Sequence, residues 1–151
     1  MTLHPQPAEP RPRVLLVEDH VDSARSISRL LRLFGYDVRV EVDGLAAVRA
    51  AEHFAPRAAL IDLSIPSLDG FEVAQHLRAA AATHDSLLIA MTGWATEEHA
   101  ARAREAGFDS HLVKPISVET LTGALSAGLA GRPSPSVRNN RSCHSNRSVR
   151  P

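Results

Sequence analysis

Five polar residues stand directly after short apolar runs. Glu18 and Asp19 follow VLLV (14–17), Asp62 follows AALI (58–61), Thr92 follows LLIAM (87–91) and Lys114 follows HLV (111–113). If these runs are neighbouring strands, three carboxylates, one hydroxyl and one ammonium share a single mouth. Carboxylates a few ångströms apart repel by ~1–4 kcal/mol per pair, depending on the local dielectric. A bound hard cation removes that conflict. An all-oxygen donor set with water completing it suits Mg2+ better than zinc. The eight histidines show no ligand spacing, and His20, beside the acids, reads as a solvated loop residue rather than a ligand.

Lys114 is the only lysine among 17 basic residues, the rest being arginine. A compact charge on a flexible stem suits an anionic group where a planar guanidinium would not. Pro115 follows, which gives the Lys114–Pro115 bond access to the cis form. The competing reading is a surface lysine that escaped the arginine bias by chance.

The elements that must position these residues are legible from periodicity. Between the apolar runs, Ile27, Leu30, Leu31 and Phe34 fall on one helical face that stops at Gly35. YDVRV (36–40) alternates as a strand does, and Asp43 can cap a helix with Leu45, Val48, Ala51 and Phe54 turned inward, ending before Pro56. Further helices are predicted over 71–82, with Val73, Leu77 and Ala80 on one side, over 96–106, ended by Gly107, and after the capping residue Ser117, with Val118, Leu121, Leu125 and Leu129 as its stripe. Strand–helix alternation with right-handed crossovers predicts a doubly wound α/β fold, a five-stranded parallel sheet covered on both faces. In such sheets ligands bind at the carboxyl ends of the strands, where the five polar residues stand.

Composition narrows the classes. At 151 residues and 44% hydrophobic, the chain suits one domain, expected over 13–130. The flanks, 1–12 and 131–151, are expected to be disordered. Residues 13–129 hold 11 basic and 16 acidic residues, whereas 130–151 hold five arginines and no acid. An acidic domain with a short basic tail is a poor nucleic-acid reader. No stretch approaches the ~20 apolar residues of a membrane span. The proline-rich N-terminus is no secretion signal, and the single cysteine, Cys143, suits the cytoplasm.

With these residues in place, the chain resembles the receiver domain of two-component response regulators, of the chemotaxis-regulator-like kind. The resemblance rests on VLLVEDHVD (14–22), DLSIPSLDG (62–70), MTGW (91–94) and HLVKP (111–115), in order and on the expected elements. It implies a flavodoxin-like (βα)5 fold with strand order 2-1-3-4-5. It implies that Asp62 is the phospho-acceptor, taking its phosphoryl group from a histidine kinase or histidine phosphotransfer protein. Mg2+ would be held by Asp19, Asp62 and the backbone carbonyl of Ser64, with Glu18 acting through water. Lys114 and Thr92 would stabilise the phosphoryl group.

Phosphorylation would then switch a protein-interaction surface toward a downstream target, through Thr92 and position 111. The family often has Tyr or Phe at that position, and His111 stands in its place, read as a partly buried switch or packing residue. Ser64 and Trp94 would tune the lifetime of the phosphoryl group, with Trp94 either shielding the site or packing on the surface. Alternatives are a detached receiver of a hybrid histidine kinase acting as a phosphorelay intermediate, which residues 91–116 resemble, and a passive receiver-fold scaffold. Enzymatic turnover is not expected. Haloacid-dehalogenase-like phosphatases need a second carboxylate two residues after the nucleophile, and Ser64 stands there.

Overall fold

Residues 14–17, 58–61 and 87–91 are apolar at every position because both faces of their sheet are covered. In the computed structural model, which describes residues 10–94 and 96–132, strands β1 (Arg13–Val17), β2 (Asp37–Glu41), β3 (Ala58–Asp62), β4 (Leu87–Thr92) and β5 (Ser110–Val113) alternate with helices α1 (Val21–Leu33), α2 (Gly44–Phe54), α3 (Gly70–Ala79), α4 (Glu97–Ala106) and α5 (Val118–Ala130). The strands pair in parallel in the order β2-β1-β3-β4-β5. The parallel sheet is the one that the alternation predicts, and its order is the flavodoxin-like one that the resemblance implies.

Period-two alternation splits the core in two. Leu15, Val17, Ala59, Ile61, Leu88 and Ala90 meet α2, α3 and α4, and Val14, Leu16, Leu60, Ile89 and Met91 meet α1 and α5. Each fully buried Leu, Ile or Val contributes about 1.5–3 kcal/mol of transfer free energy. Side chains of His20, Asp43, Asp69, Thr96 and Ser117 cap the five helices. Among the described residues, no helix is long and apolar enough to cross a membrane.

The structure corrects five details. Val118, placed by spacing on the apolar stripe of α5, is exposed, since it is the first residue of the helix and burial begins at Leu121. Phe34 is 55% exposed, since α1 ends at Leu33 and the chain then turns through Gly35 at φ 93, out of helical phase. Leu45 is also exposed, because the small residues Ala47, Ala50 and Ala51 face the sheet and position 45 lies about 200° from position 47. Helix α3 stops at Ala79 rather than 82, and Ala80 is extended. The Thr83 hydroxyl donates to Leu77 O at 2.6 Å and takes a carbonyl that a continuing helix would have used. His111 is exposed rather than partly buried, because β5 is an edge strand and buries only Leu112.

The expected disordered flanks fall mostly outside the described residues. Of the part that is described, Arg132 is anchored: Nη2 lies 3.0 Å from Asp109 Oδ1, and Arg57 Nη2 donates to Arg132 O at 3.0 Å.

Candidate functional site

Parallel strands end on one edge, so the residues following them converge. The register sets Val17 beside Ile61, Asp62 beside Met91 and Thr92 beside Val113. Glu18, Asp19 and Asp62 consequently bring carboxylate oxygens within 4.8 Å of one another. Glu18 and Asp62 are buried, at 1% and 7% exposure, while Asp19 is exposed.

Lys114 reaches into this cluster. Its Nζ donates to Asp62 Oδ2 at 2.6 Å and to Glu18 Oε2 at 2.9 Å. The other oxygens of the two acids are held by backbone amides: Ser64 N donates to Asp62 Oδ1 at 2.8 Å, and His20 N to Glu18 Oε1 at 3.1 Å. Burial pushes the Glu18 carboxyl above its ordinary range; the Lys114 hydrogen bond opposes this and the Asp62 charge adds to it. Burial alone would lower the Lys114 ammonium, but the hydrogen bonds to Asp62 and Glu18 outweigh it and hold the pKa above its ordinary value. Lys114 is therefore charged at neutral pH. One ammonium pairs with two of three carboxylates, and Asp19 faces solvent. A three-carboxylate, all-oxygen cluster open to water on one side fits a hard divalent cation.

Thr92 is buried at the next strand end, where its Oγ1 accepts the Trp94 amide at 3.1 Å. The Trp94 ring is 64% exposed and stacks on His99, with centroids 6.5 Å apart. Neither His111 nor Trp94 makes a hydrogen bond to the acids among the described residues. His20, read as a loop residue, is exposed and also caps α1 through Nδ1. The Lys114–Pro115 bond is cis, as the dipeptide allows. An open groove of about 820 Å3 is lined by Ile27, Leu30, Ile116 and Leu121 among others, and by Lys114. The sequence reading missed a set of contacts from Asp43 and Gly44 to the loop after Asp62; the Asp-Gly pair at 43–44 was the available signal.

Residues 14–126 match the response regulator receiver domain family. The chain belongs to that family. Its receiver is 36% identical over 121 residues to the transcriptional regulatory protein PrrA of Mycobacterium tuberculosis, covering 80% of this chain and 51% of that protein. The chain thus spans about half the length of the curated relatives it matches. Among solved structures it is similar to the receiver domain of the sensor histidine kinase PA1611 from Pseudomonas aeruginosa, with a TM-score of 0.74, 32% identity, and coverage of 80% of this chain and 98% of that one. That structure holds a magnesium ion coordinated in its active-site cleft. The chemotaxis protein CheY4 of Vibrio cholerae superposes with a TM-score of 0.76 at 26% identity, covering 79% and 99% of the two chains. The protein is a two-component receiver domain whose acidic pocket of Glu18, Asp19 and Asp62 is typical of magnesium-binding receivers.

Proposed function

We propose that this receiver accepts a phosphoryl group on Asp62 from a phosphohistidine of a histidine kinase or phosphotransfer protein, and that the aspartyl phosphate switches a protein-interaction surface. The observation that carries this reading is one buried strand-end aspartate held between a lysine and two further acids. An Asp62 carboxylate oxygen bonds to phosphorus as the donor's phosphorus–nitrogen bond breaks. The electron pair leaves with the imidazole nitrogen, which takes up a proton from solvent. Lys114 exchanges its carboxylate partner for a phosphoryl oxygen, and the Thr92 hydroxyl donates to another. Asp19, Asp62 and the Ser64 carbonyl, with Glu18 through water, would hold Mg2+, which would supply charge compensation for the incoming group. The groove that Lys114 helps to line offers the donor protein a surface beside the acid cluster.

Movement of Thr92 toward the phosphoryl group draws the Trp94 amide with it and re-sets the face of α4, β5 and α5, where His111 and Val113 are exposed. The chain acts in the cytoplasm as a phosphoprotein, not as a turnover enzyme. The domain's excess of acids argues against a nucleic-acid partner. A phosphorelay role, with the phosphoryl group passed onward, is supported by the likeness to the PA1611 receiver, which is part of a sensor histidine kinase.

Intact mass after incubation with Mg2+ and acetyl phosphate tests the reading. One phosphoryl adduct is expected in the wild type, absent without Mg2+ and absent in Asp62→Asn. No adduct in the wild type would sink it and favour the scaffold.

A further inference from the structure

The acceptor aspartate is also held from outside the acid cluster. Residues 63–69 link β3 to α3, and within them Ser64 N is the donor to Asp62 Oδ1. The far side of this loop is pinned to the first turn of α2. Gly44 N donates to Pro66 O at 3.0 Å, and Leu45 N donates to Ser67 Oγ at 3.1 Å. Ser67 Oγ in turn donates to Asp43 Oδ1 at 3.2 Å, the same oxygen that accepts Ala46 N as the helix cap. Ser67 sits at φ 69, a left-handed conformation that a non-glycine residue keeps only when its surroundings hold it there. A Cβ at position 44 would collide with the Leu68 carbonyl oxygen, so helix and loop meet backbone to backbone. A Cβ at position 70 would stand 2.7 Å from both Asp62 O and Leu63 Cα.

We infer that Ser67, seated on Asp43 and Leu45, is a positioning residue for the phospho-acceptor: the α2 N-terminus holds residues 63–69 so that Ser64 N stays on Asp62 Oδ1. None of the three makes a hydrogen bond to Asp62. Among the described residues, the loop's other backbone hydrogen bonds to flanking elements lie at its two ends, where Leu63 N bonds Met91 O and Gly70 N bonds Leu63 O, while Leu63 and Ile65 anchor it by apolar packing in the core. The hydroxyl of Ser67 serves two of the tethering bonds, and its removal leaves the Asp43 cap on Ala46 intact. The consequence for phosphorylation rests on Asp62 being the acceptor; the positioning itself is readable without metal or phosphodonor.

The test compares the full chain as wild type, Ser67→Gly and Ser67→Asn. Glycine keeps the left-handed backbone and removes the hydroxyl, whereas asparagine tolerates the same backbone and restores a polar side chain. Amide hydrogen exchange is followed by NMR in metal-free protein. Loss of the tether is expected to speed exchange at Ser64 about two- to tenfold in Ser67→Gly, with amides of α1 and α5 unchanged and Ser67→Asn returning toward wild type. Adduct formation from acetyl phosphate with Mg2+ should slow by a comparable factor in Ser67→Gly. Unchanged exchange at Ser64, or an equal rise across the whole domain, overturns the inference. Faster exchange at Ser64 in a protein whose wild type forms no adduct supports the positioning and rejects the phospho-acceptor reading instead.

Discussion

Lys114 Nζ lies 2.6 Å from Asp62 Oδ2, although the two residues are 52 positions apart and their strands are not neighbours. β4 stands between β3 and β5, so the lysine stem crosses the end of β4 to place its ammonium between Asp62 and Glu18. The contact neutralises a carboxylate pair that burial would otherwise leave in conflict, and it reserves a cation for the position a phosphoryl group would take.

Lys114→Met should cost about 2 kcal/mol of metal-free stability near neutral pH, measured by urea unfolding. That is below the roughly 3–5 kcal/mol of a fully buried broken pair, because the lysine side chain is 33% exposed. The wild-type contribution is present below the ordinary lysine pKa and is lost as pH rises through the raised value, so the gap between the two proteins should close only in alkali.

Glu18→Gln should behave in the opposite way. Burial raises the Glu18 pKa, so its stabilising contribution is present below the ordinary glutamate pKa and is lost as pH climbs through the raised value. Metal-free Glu18→Gln should therefore melt higher than wild type at pH 7, with the difference vanishing in acid. Its Mg2+ affinity, followed by Trp94 fluorescence, should be weaker. A variant that melts lower at every pH would show that the Lys114 bond outweighs the cost of burial.

Trp94→Ala should leave the melting midpoint nearly unchanged, since the ring is 64% exposed. If the ring shields the acyl phosphate, loss of dephosphorylation barrier of about 1 kcal/mol speeds hydrolysis roughly fivefold. Radiolabel decay after removal of the phosphodonor reads this directly. An unchanged rate assigns Trp94 to surface packing on His99 or to a partner.

Asp109→Ala tests the opposite end of the sheet. Asp109 pairs with Arg78 at 2.8 Å and Arg132 at 3.0 Å, and it accepts the Leu88 amide at 2.9 Å. Its removal should cost about 1–2 kcal/mol of stability by urea unfolding, because charged hydrogen bonds exceed neutral ones. The phosphorylation rate should not change, because the acid cluster lies beyond the other strand ends.

The polar residues of the site were readable because chemistry and strand ends coincide in sequence: Glu18-Asp19, Asp62, Thr92 and Lys114 each follow an apolar run. The parallel sheet was implied by alternation, since parallel crossovers leave few arrangements, and the strand order by the resemblance. Burial of individual residues was less legible. Phe34 and Leu45 look like core residues by spacing, yet a helix end and a stripe of alanines left them exposed. His111 lost its expected cover because edge strands are packed only as far as neighbouring helices reach. The grip of Ser67 on α2, and the reach of Lys114 over β4, join residues far apart in the chain. Strand ends placed Lys114 and Asp62 at one mouth, but local propensity acts over a few residues, whereas the bonds themselves exist only once strand order and helix packing bring distant backbone together.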